Sequence, residues 1–177
     1  MLQLEISPPT IAETAALLEF ELANRAYFEA RINARPTNFY NHETVRYSIE
    51  EASQHRVLGT GYQYLIKSSG EIIGRINLSG VSKRYYNKAT LGYRIGESHG
   101  GKGVGTLAVR LLLEEAFDQL GLWRIEAQVR EENLGSIRVL EKNGFSIFGR
   151  AAQSMYFNDV WGDLLYFECR SPHGSRV

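Results

Sequence analysis

Tyr93-Arg-Ile-Gly-Glu-Ser-His-Gly-Gly-Lys-Gly-Val-Gly-Thr106 decides how this chain folds. An extended run, Leu91 to Ile95, feeds a loop with glycines at 96, 100, 101, 103 and 105. A long apolar segment, Val104 to Leu120, leaves it. Val109, Leu112, Leu113, Ala116, Phe117 and Leu120 recur at helical spacing, and Leu107, Ala108 and Leu111 widen the stripe until most of the helix is expected to be buried. Strand, glycine loop and helix start together make an anion site. Glycine admits φ > 0 and close approach, and first-turn N–H groups have no partner within the helix. The expected occupant is a phosphate or pyrophosphate on the amides of Gly101 to Thr106, unless the turn serves only to reverse the chain.

Three glycine-loop patterns compete for this segment. The dinucleotide pattern G-x-G-x-x-G is not met, because the glycines run 101, 103, 105 and no further βαβ unit follows. The nucleoside-triphosphate pattern G-x-x-x-x-G-K-[ST] matches Gly96, Gly101 and Lys102. It fails at Gly103, where a hydroxyl must hold Mg²⁺. The acyl-CoA pattern [Q/R]-x-x-G-x-G/A fits Gly100-Gly101-Lys102-Gly103-Val104-Gly105, departing only at its first position.

The totals narrow the function classes. At 177 residues the chain is one domain, 1–170, with a short polar tail, 171–177. Lys+Arg and Asp+Glu are both 20, so no basic footprint for nucleic acid exists. No apolar run approaches the roughly 18–20 residues that span a bilayer. Met1 to Thr10 lacks a signal peptide's basic and apolar regions, and Cys169 is the only cysteine. The expectation is a soluble cytoplasmic protein without membrane or nucleic-acid partners, with a homodimer left open.

In chain order, Leu2, Leu4 and Ile6 alternate as a first strand that Pro8-Pro9 ends. Thr10-Ile-Ala-Glu13 is a capping box opening a helix to about Phe28, with Ile11, Leu17, Leu18, Leu22 and Phe28 inward. A second helix runs from Glu43 to about Val57. Gly61 to Lys67 and Ile72 to Val81 form a hairpin over Ser68-Ser-Gly-Glu71. Ala89 to Ile95 is the strand before the loop. Trp123, Ile125, Ala127 and Val129 then alternate with Arg124, Glu126, Gln128 and Arg130 in a strand with one polar face. Asn133 caps a short helix through Lys142, closed by Asn143-Gly144. Phe145 to Ala151 and two strands around Phe157-Asn-Asp-Val160 finish the domain. The order predicts an α/β fold: a mixed, mostly antiparallel sheet of six or seven strands with helices on both faces, not a doubly wound parallel one.

The second motif, Arg130-Glu-Glu-Asn133-Leu-Gly-Ser136-Ile-Arg-Val-Leu-Glu-Lys-Asn-Gly144-Phe145, carries a resemblance. Asn-x-x-Ser and a helix ending in Gly-Phe, placed after the glycine loop, resemble the GCN5-related N-acetyltransferases over nearly the whole chain. The resemblance is nearest to the ribosomal-protein-alanine branch, through Leu91-Gly-Tyr-Arg-Ile-Gly-Glu97, Trp123-Arg-Ile-Glu126 and Asn158-Asp-x-Trp161-x-Asp163. It implies the acyl-CoA N-acyltransferase fold, with acetyl-CoA as co-substrate wedged between two splayed central strands, and no metal. Backbone groups of Tyr93, Arg94 and Ile95 would hold the pantetheine. Gly100, Gly101, Lys102, Gly103, Val104, Gly105 and Thr106 would take the pyrophosphate, and Asn133 would touch the pantetheine arm. Lys102 and Arg138 could meet CoA phosphates, against a merely solvated role for Arg138.

Acetyl transfer to an amine must remove a proton from the amine, stabilise an oxyanion and supply the leaving thiolate with a proton. Many members of the family place a Tyr four residues before Gly-Phe; here that residue is Leu140. Ser136 is then the candidate acid, against a bland role bonding its own helix backbone. Glu126 is the candidate base, against pairing with Arg124 or Lys142. Glu97 and an ordered water are the alternatives. Tyr27, Phe28, Phe39, Tyr40, Tyr85, Tyr86, Tyr156 and Trp161 could line an acceptor cleft, although aromatic side chains are more often core. The expected activity is acetyl transfer to a primary amine, a protein N-terminus first. A polyamine or antibiotic amine is the second reading, and a non-catalytic acyl-CoA sensor is the third.

Overall fold

The computed structural model describes residues 3–174. Met1, Leu2 of the predicted first strand, and Ser175 to Val177 of the predicted tail lie outside them. The strands are β1 Glu5–Ser7, β2 Tyr62–Ser68, β3 Glu71–Ser82, β4 Lys88–Ile95, β5 Arg124–Arg130, β6 Ser146–Phe157 and β7 Val160–Arg170. They form one seven-stranded sheet in the order β1-β2-β3-β4-β5-β7-β6. Every neighbouring pair is antiparallel except β4 and β5, which are parallel. That one parallel pair needs a crossover, and the long apolar helix after the glycine loop supplies it.

Five α-helices cover the two faces: α1 Thr14–Ala23, α2 Arg25–Glu29, α3 His42–Leu58, α4 Val104–Glu114 and α5 Leu134–Lys142. On one face, Ile76, Leu78, Ala89, Leu91, Ile125, Ala127 and Phe167 pack on α4 and α5, with Val104, Ala108, Val109, Leu112 and Leu140. On the other, Leu17, Phe20, Phe28, Phe39, Val45 and Ile49 of the α1–α3 layer pack on Leu65. The period-2 alternation of β4 and β5 divides their residues between these faces. Among the described residues, no helix is long and apolar enough to cross a membrane.

Three elements differ from the sequence expectation. The first helix is a 3₁₀ turn, Ile11–Glu13, then α1 and α2 broken at Asn24. There the Asn24 amide donates to Phe20 O at 2.9 Å and its Oδ1 accepts from Glu97 N at 2.9 Å, so a side chain competes with the helix ladder. Ile11 and Leu22, expected inward, are exposed, and Phe20 and Glu21 are buried instead. The glycine-loop helix is α only to Glu114. Glu115–Gln119 then widens to a π turn with Leu120 N bonded to Glu115 O at 3.0 Å. Ala116 and Phe117 stay in the core through this turn, as the stripe predicts, and Gly121, at φ 63°, ends the run. Finally, the strand expected at Phe145 to Ala151 extends as β6 to the Asn158-Asp159 turn. Both turn residues have positive φ, as a two-residue hairpin turn of the primed type requires.

Candidate active site

Parallel pairing of β4 with β5 runs from Lys88–Arg124 to Leu91–Ala127 and stops there. Beyond that point β4 stays bonded to β3 as far as Ile95, and β5 stays bonded to β7 as far as Arg130. Both strands therefore remain in the sheet by their outer edges while their inner edges part. The amides and carbonyls of Gly92 to Ile95 on that inner edge are open to an extended ligand, which can add to them as another strand would. The far lip is anchored: Arg130 donates to Arg31 O at 2.9 Å and lies over the Phe157 ring.

Where β4 ends, Ile73 O accepts from Gly96 N at 2.9 Å and the chain turns through Glu97–His99 into the glycine loop. Gly101 and Gly103 have φ of 70° and 81°, a region other residues enter at a cost, and neither would meet a heavy atom with an added Cβ. Gly103 is the N-cap of α4. The first α4 amide to bond back is Leu107 N, to Gly103 O at 3.1 Å, which leaves Val104, Gly105 and Thr106 in the unpaired first turn. At Gly105 a Cβ would sit 3.4 Å from Val139 and 3.5 Å from the Tyr93 ring, ordinary van der Waals contact, which places the first turn of α4 beside both β4 and α5.

The second motif meets the first through hydroxyl groups. Asn133 Oδ1 accepts from Ser136 N at 3.1 Å, capping α5 as expected. The Ser136 hydroxyl accepts from Tyr93 O–H at 3.1 Å. Burial pushes the Tyr93 phenol up from its ordinary value, and the bond to Ser136 only partly offsets this. Leu140, four residues before Gly144-Phe145, is core. A part-buried hydroxyl nevertheless lies beside Ser136, and it comes from β4.

The chain matches the model of the acetyltransferase (GNAT) domain over residues 3–146. It belongs to that family. GNAT membership makes it an acetyltransferase enzyme with acetyl-CoA as its donor, and the seven-stranded, mostly antiparallel sheet with a parted central pair is the acyl-CoA N-acyltransferase fold the sequence resembled. A probable N-acetyltransferase of Bacillus subtilis, YjcK, is 35% identical over 160 residues, covering 89% of this chain and 88% of its own. The ribosomal-protein-S5-alanine acetyltransferase of Vibrio fischeri superposes with a TM-score of 0.91 at 19% identity, over 97% of this chain and 95% of that one. Mycobacterium smegmatis RimJ in complex with CoA-disulfide gives 0.87 at 23% identity, over 96% and 83%. At these identities the two structures speak to the fold alone.

Within this GNAT chain, Tyr93, Ile95, Gly100 to Thr106, Asn133 and Ser136 converge on the parted strands and the start of α4. Lys102 and Arg138 are exposed, with no carboxylate partner among the described residues. Glu126 sits elsewhere. It faces Thr90 in the paired half of the strands, and both its oxygens are taken: Lys88 Nζ donates to them at 3.0 and 2.9 Å, and Arg124 pairs at 2.7 Å. The pairing with Arg124 weighed against the base role is thus present, and Lys88 adds to it. Gln128, two residues on, is the exposed side chain of that face beyond the last pair.

The other unforeseen feature lies on the α1–α3 face. Arg94, expected to serve through its backbone, turns its side chain to Glu21, which is fully buried and also pairs with Arg75 and Arg35. The distances are 2.6 Å to Arg75 and 3.3 Å to each of the other two. A faint sequence signal existed, since Glu21 follows Leu17 and Phe20 at helical spacing and so falls on the buried stripe of α1. Of the aromatic residues proposed for an acceptor cleft, Phe28 and Phe39 are core; Tyr85, Tyr86, Tyr156 and Trp161 are exposed.

Proposed function

We propose that this enzyme transfers the acetyl group of acetyl-CoA directly to a protein N-terminal amine within a ternary complex. The observation that carries this reading is the loss of β4–β5 pairing after Leu91–Ala127, with the unpaired first turn of α4 close by. On this reading, amides of Gly101 to Thr106 take the diphosphate, helped by the exposed cations of Lys102 and Arg138. The pantetheine arm lies along Tyr93 to Ile95, with Asn133 beside it. An N–H of that strand faces the thioester oxygen and stabilises it as it becomes an oxyanion.

The amine nitrogen attacks the thioester carbon, its surplus proton leaves to water in the open cleft, and the C–S bond breaks. The departing thiolate takes the Ser136 hydroxyl proton as Tyr93 passes its phenolic proton to Ser136 Oγ, giving free CoA thiol, and Tyr93 recovers a proton from the cleft water that accepted the amine's, so every group ends as it began. Holding both reactants is itself a large part of the rate, since effective molarities of well-oriented groups reach on the order of 10⁵ M. Two relatives, each 26% identical, differ in the acceptor their names give: one is a ribosomal-protein-serine acetyltransferase and the other a spermidine N(1)-acetyltransferase, both of Escherichia coli. A thiol-release assay with acetyl-CoA and a panel of N-terminal peptides, spermidine and aminoglycosides separates the readings. Peptide acetylation on the α-amine is expected. Preferred turnover of a small amine overturns the N-terminal assignment, and CoA binding without turnover on any acceptor makes the chain a sensor.

A further inference from the structure

On the α1–α3 face, a cavity of about 550 Å³ opens against the parted half of β4. Gly92 and Arg94 form its wall there, and Arg35, Arg75, Asn77 and Tyr47 close round it. The charge in this cavity is unbalanced. Glu21, behind the wall, offers two oxygens, of which Oε1 accepts from Arg35 and Arg75 and Oε2 from Arg94. Glu51, the other carboxylate at the cavity, is exposed and pairs with none of the three among the described residues. Three guanidinium groups therefore face two carboxylates.

Burying a carboxylate calls for one good cation, and further cations beside it repel one another. Burial and its neighbours Arg35 and Arg75 hold Arg94 down at about 10, against the pull of Glu21, so it stays protonated at neutral pH. Arg35 is likewise lowered, chiefly by burial. Arg35 Nε is enclosed and donates to nothing. Such a cluster has positive charge to spare, and all three arginines line a cavity whose wall is the strand proposed to hold the thioester.

We infer that the acceptor carries a carboxylate close to its reactive amine, and that Arg35, Arg75 and Arg94 read it. For a protein N-terminus this means Asp or Glu within the first few residues. The inference rests on the N-terminal reading above and adds to it the chemistry of the recognised side chain. It also disfavours a polycation such as spermidine, which would bring like charge to the cluster.

Matched peptides with Asp, Asn or Lys at the second or third position test it, measured twice: by kcat/KM, and by calorimetric binding to the CoA-loaded protein. Charge-assisted hydrogen bonds support an expected preference of roughly tenfold or more for Asp over Asn. Arg35→Gln is expected to shrink that ratio and Arg35→Glu to invert it toward Lys, while Arg35→Lys, which keeps the charge, holds most of it. Melting curves confirm that each variant is folded. Equal values for Asp, Asn and Lys peptides, or a ratio unmoved in Arg35→Gln, overturn the inference. Tighter binding of the Asp peptide without turnover upholds the pocket and defeats the transfer reading, so the two fail separately.

Discussion

Tyr93 on β4 donates its phenolic proton to Ser136 on α5 at 3.1 Å, joining the glycine-loop motif to the Asn-x-x-Ser motif. The pair lies on the α4–α5 face, opposite Arg94 of the same strand. One face of β4 thus carries the hydroxyl pair proposed to protonate the leaving group, and the other carries the cations proposed to hold the acceptor.

Ser136→Ala is expected to lower kcat by about 10- to 100-fold with little change in the acetyl-CoA KM, as befits a group that acts as the thiolate forms. Tyr93→Phe keeps the ring that packs near Gly105 and removes only the donor, so a smaller fall in kcat is expected. Because burial raises the Tyr93 phenol, it keeps its proton as pH rises past the ordinary tyrosine range. A descending limb due to this pair therefore belongs above pH 10 or so. Wild-type turnover in Ser136→Ala removes the assignment.

Gly103→Glu is expected to weaken CoA binding by at least 100-fold in calorimetric titration, by placing a carboxylate on the diphosphate path. Strain alone does not explain such a loss, and Gly70 supplies the control. Gly70, in the β2–β3 turn, has φ 82° against 81° for Gly103, and a Cβ at either meets nothing within 4 Å. Both substitutions cost about 1–2 kcal/mol of left-handed backbone strain. Only the one at 103 is expected to touch CoA affinity; equal losses at the two positions would falsify the placement.

Much of the fold was legible in the sequence because local patterns and tertiary structure agreed there. The alternation in Trp123 to Arg130, the cap at Asn133 and the stripe from Val104 mark elements whose partners follow from their order. The break at Asn24 was hidden because one side-chain oxygen bonds Glu97, 73 residues on in the chain. Glu126 looked available for the same kind of reason. Its spacing from Arg124 is visible in the sequence, but Lys88 reaches it only through the register of the parallel strands. The Glu21 cluster draws on α1, the α2–α3 segment, β3 and β4, so no single stretch contains it.

Removing the Glu21 carboxylate is expected to destabilise the protein more than removing any one of its arginine partners. Glu21→Gln leaves three cations crowded around a neutral amide in a buried site. Breaking a buried ionic network at one partner typically costs about 3–5 kcal/mol. Arg35→Gln leaves Glu21 its bonds to Arg75 and Arg94 and should cost much less. Chemical denaturation of the two variants checks the order, and an equal or reversed loss means that Glu21 does not hold the cluster together.

Glu126→Gln separates a structural carboxylate from a catalytic one. The side chain lies in a chain of alternating charge, Lys88–Glu126–Arg124–Glu168–Arg170, on the polar face of the sheet. Neutralising Glu126, its second member, is expected to cost about 1 kcal/mol, since the pairs are only partly buried and solvent screens them. Turnover with saturating acetyl-CoA should stay within about threefold of wild type, and the rise of kcat/KM with pH should keep its midpoint, because the amine gives its proton to water. A base contributes on the order of 10²-fold or more to such a reaction. A fall of that size, together with loss of the ascending limb of the pH profile, would restore Glu126 as the proton acceptor. It would also require the Lys88 and Arg124 bonds to open when the acceptor binds.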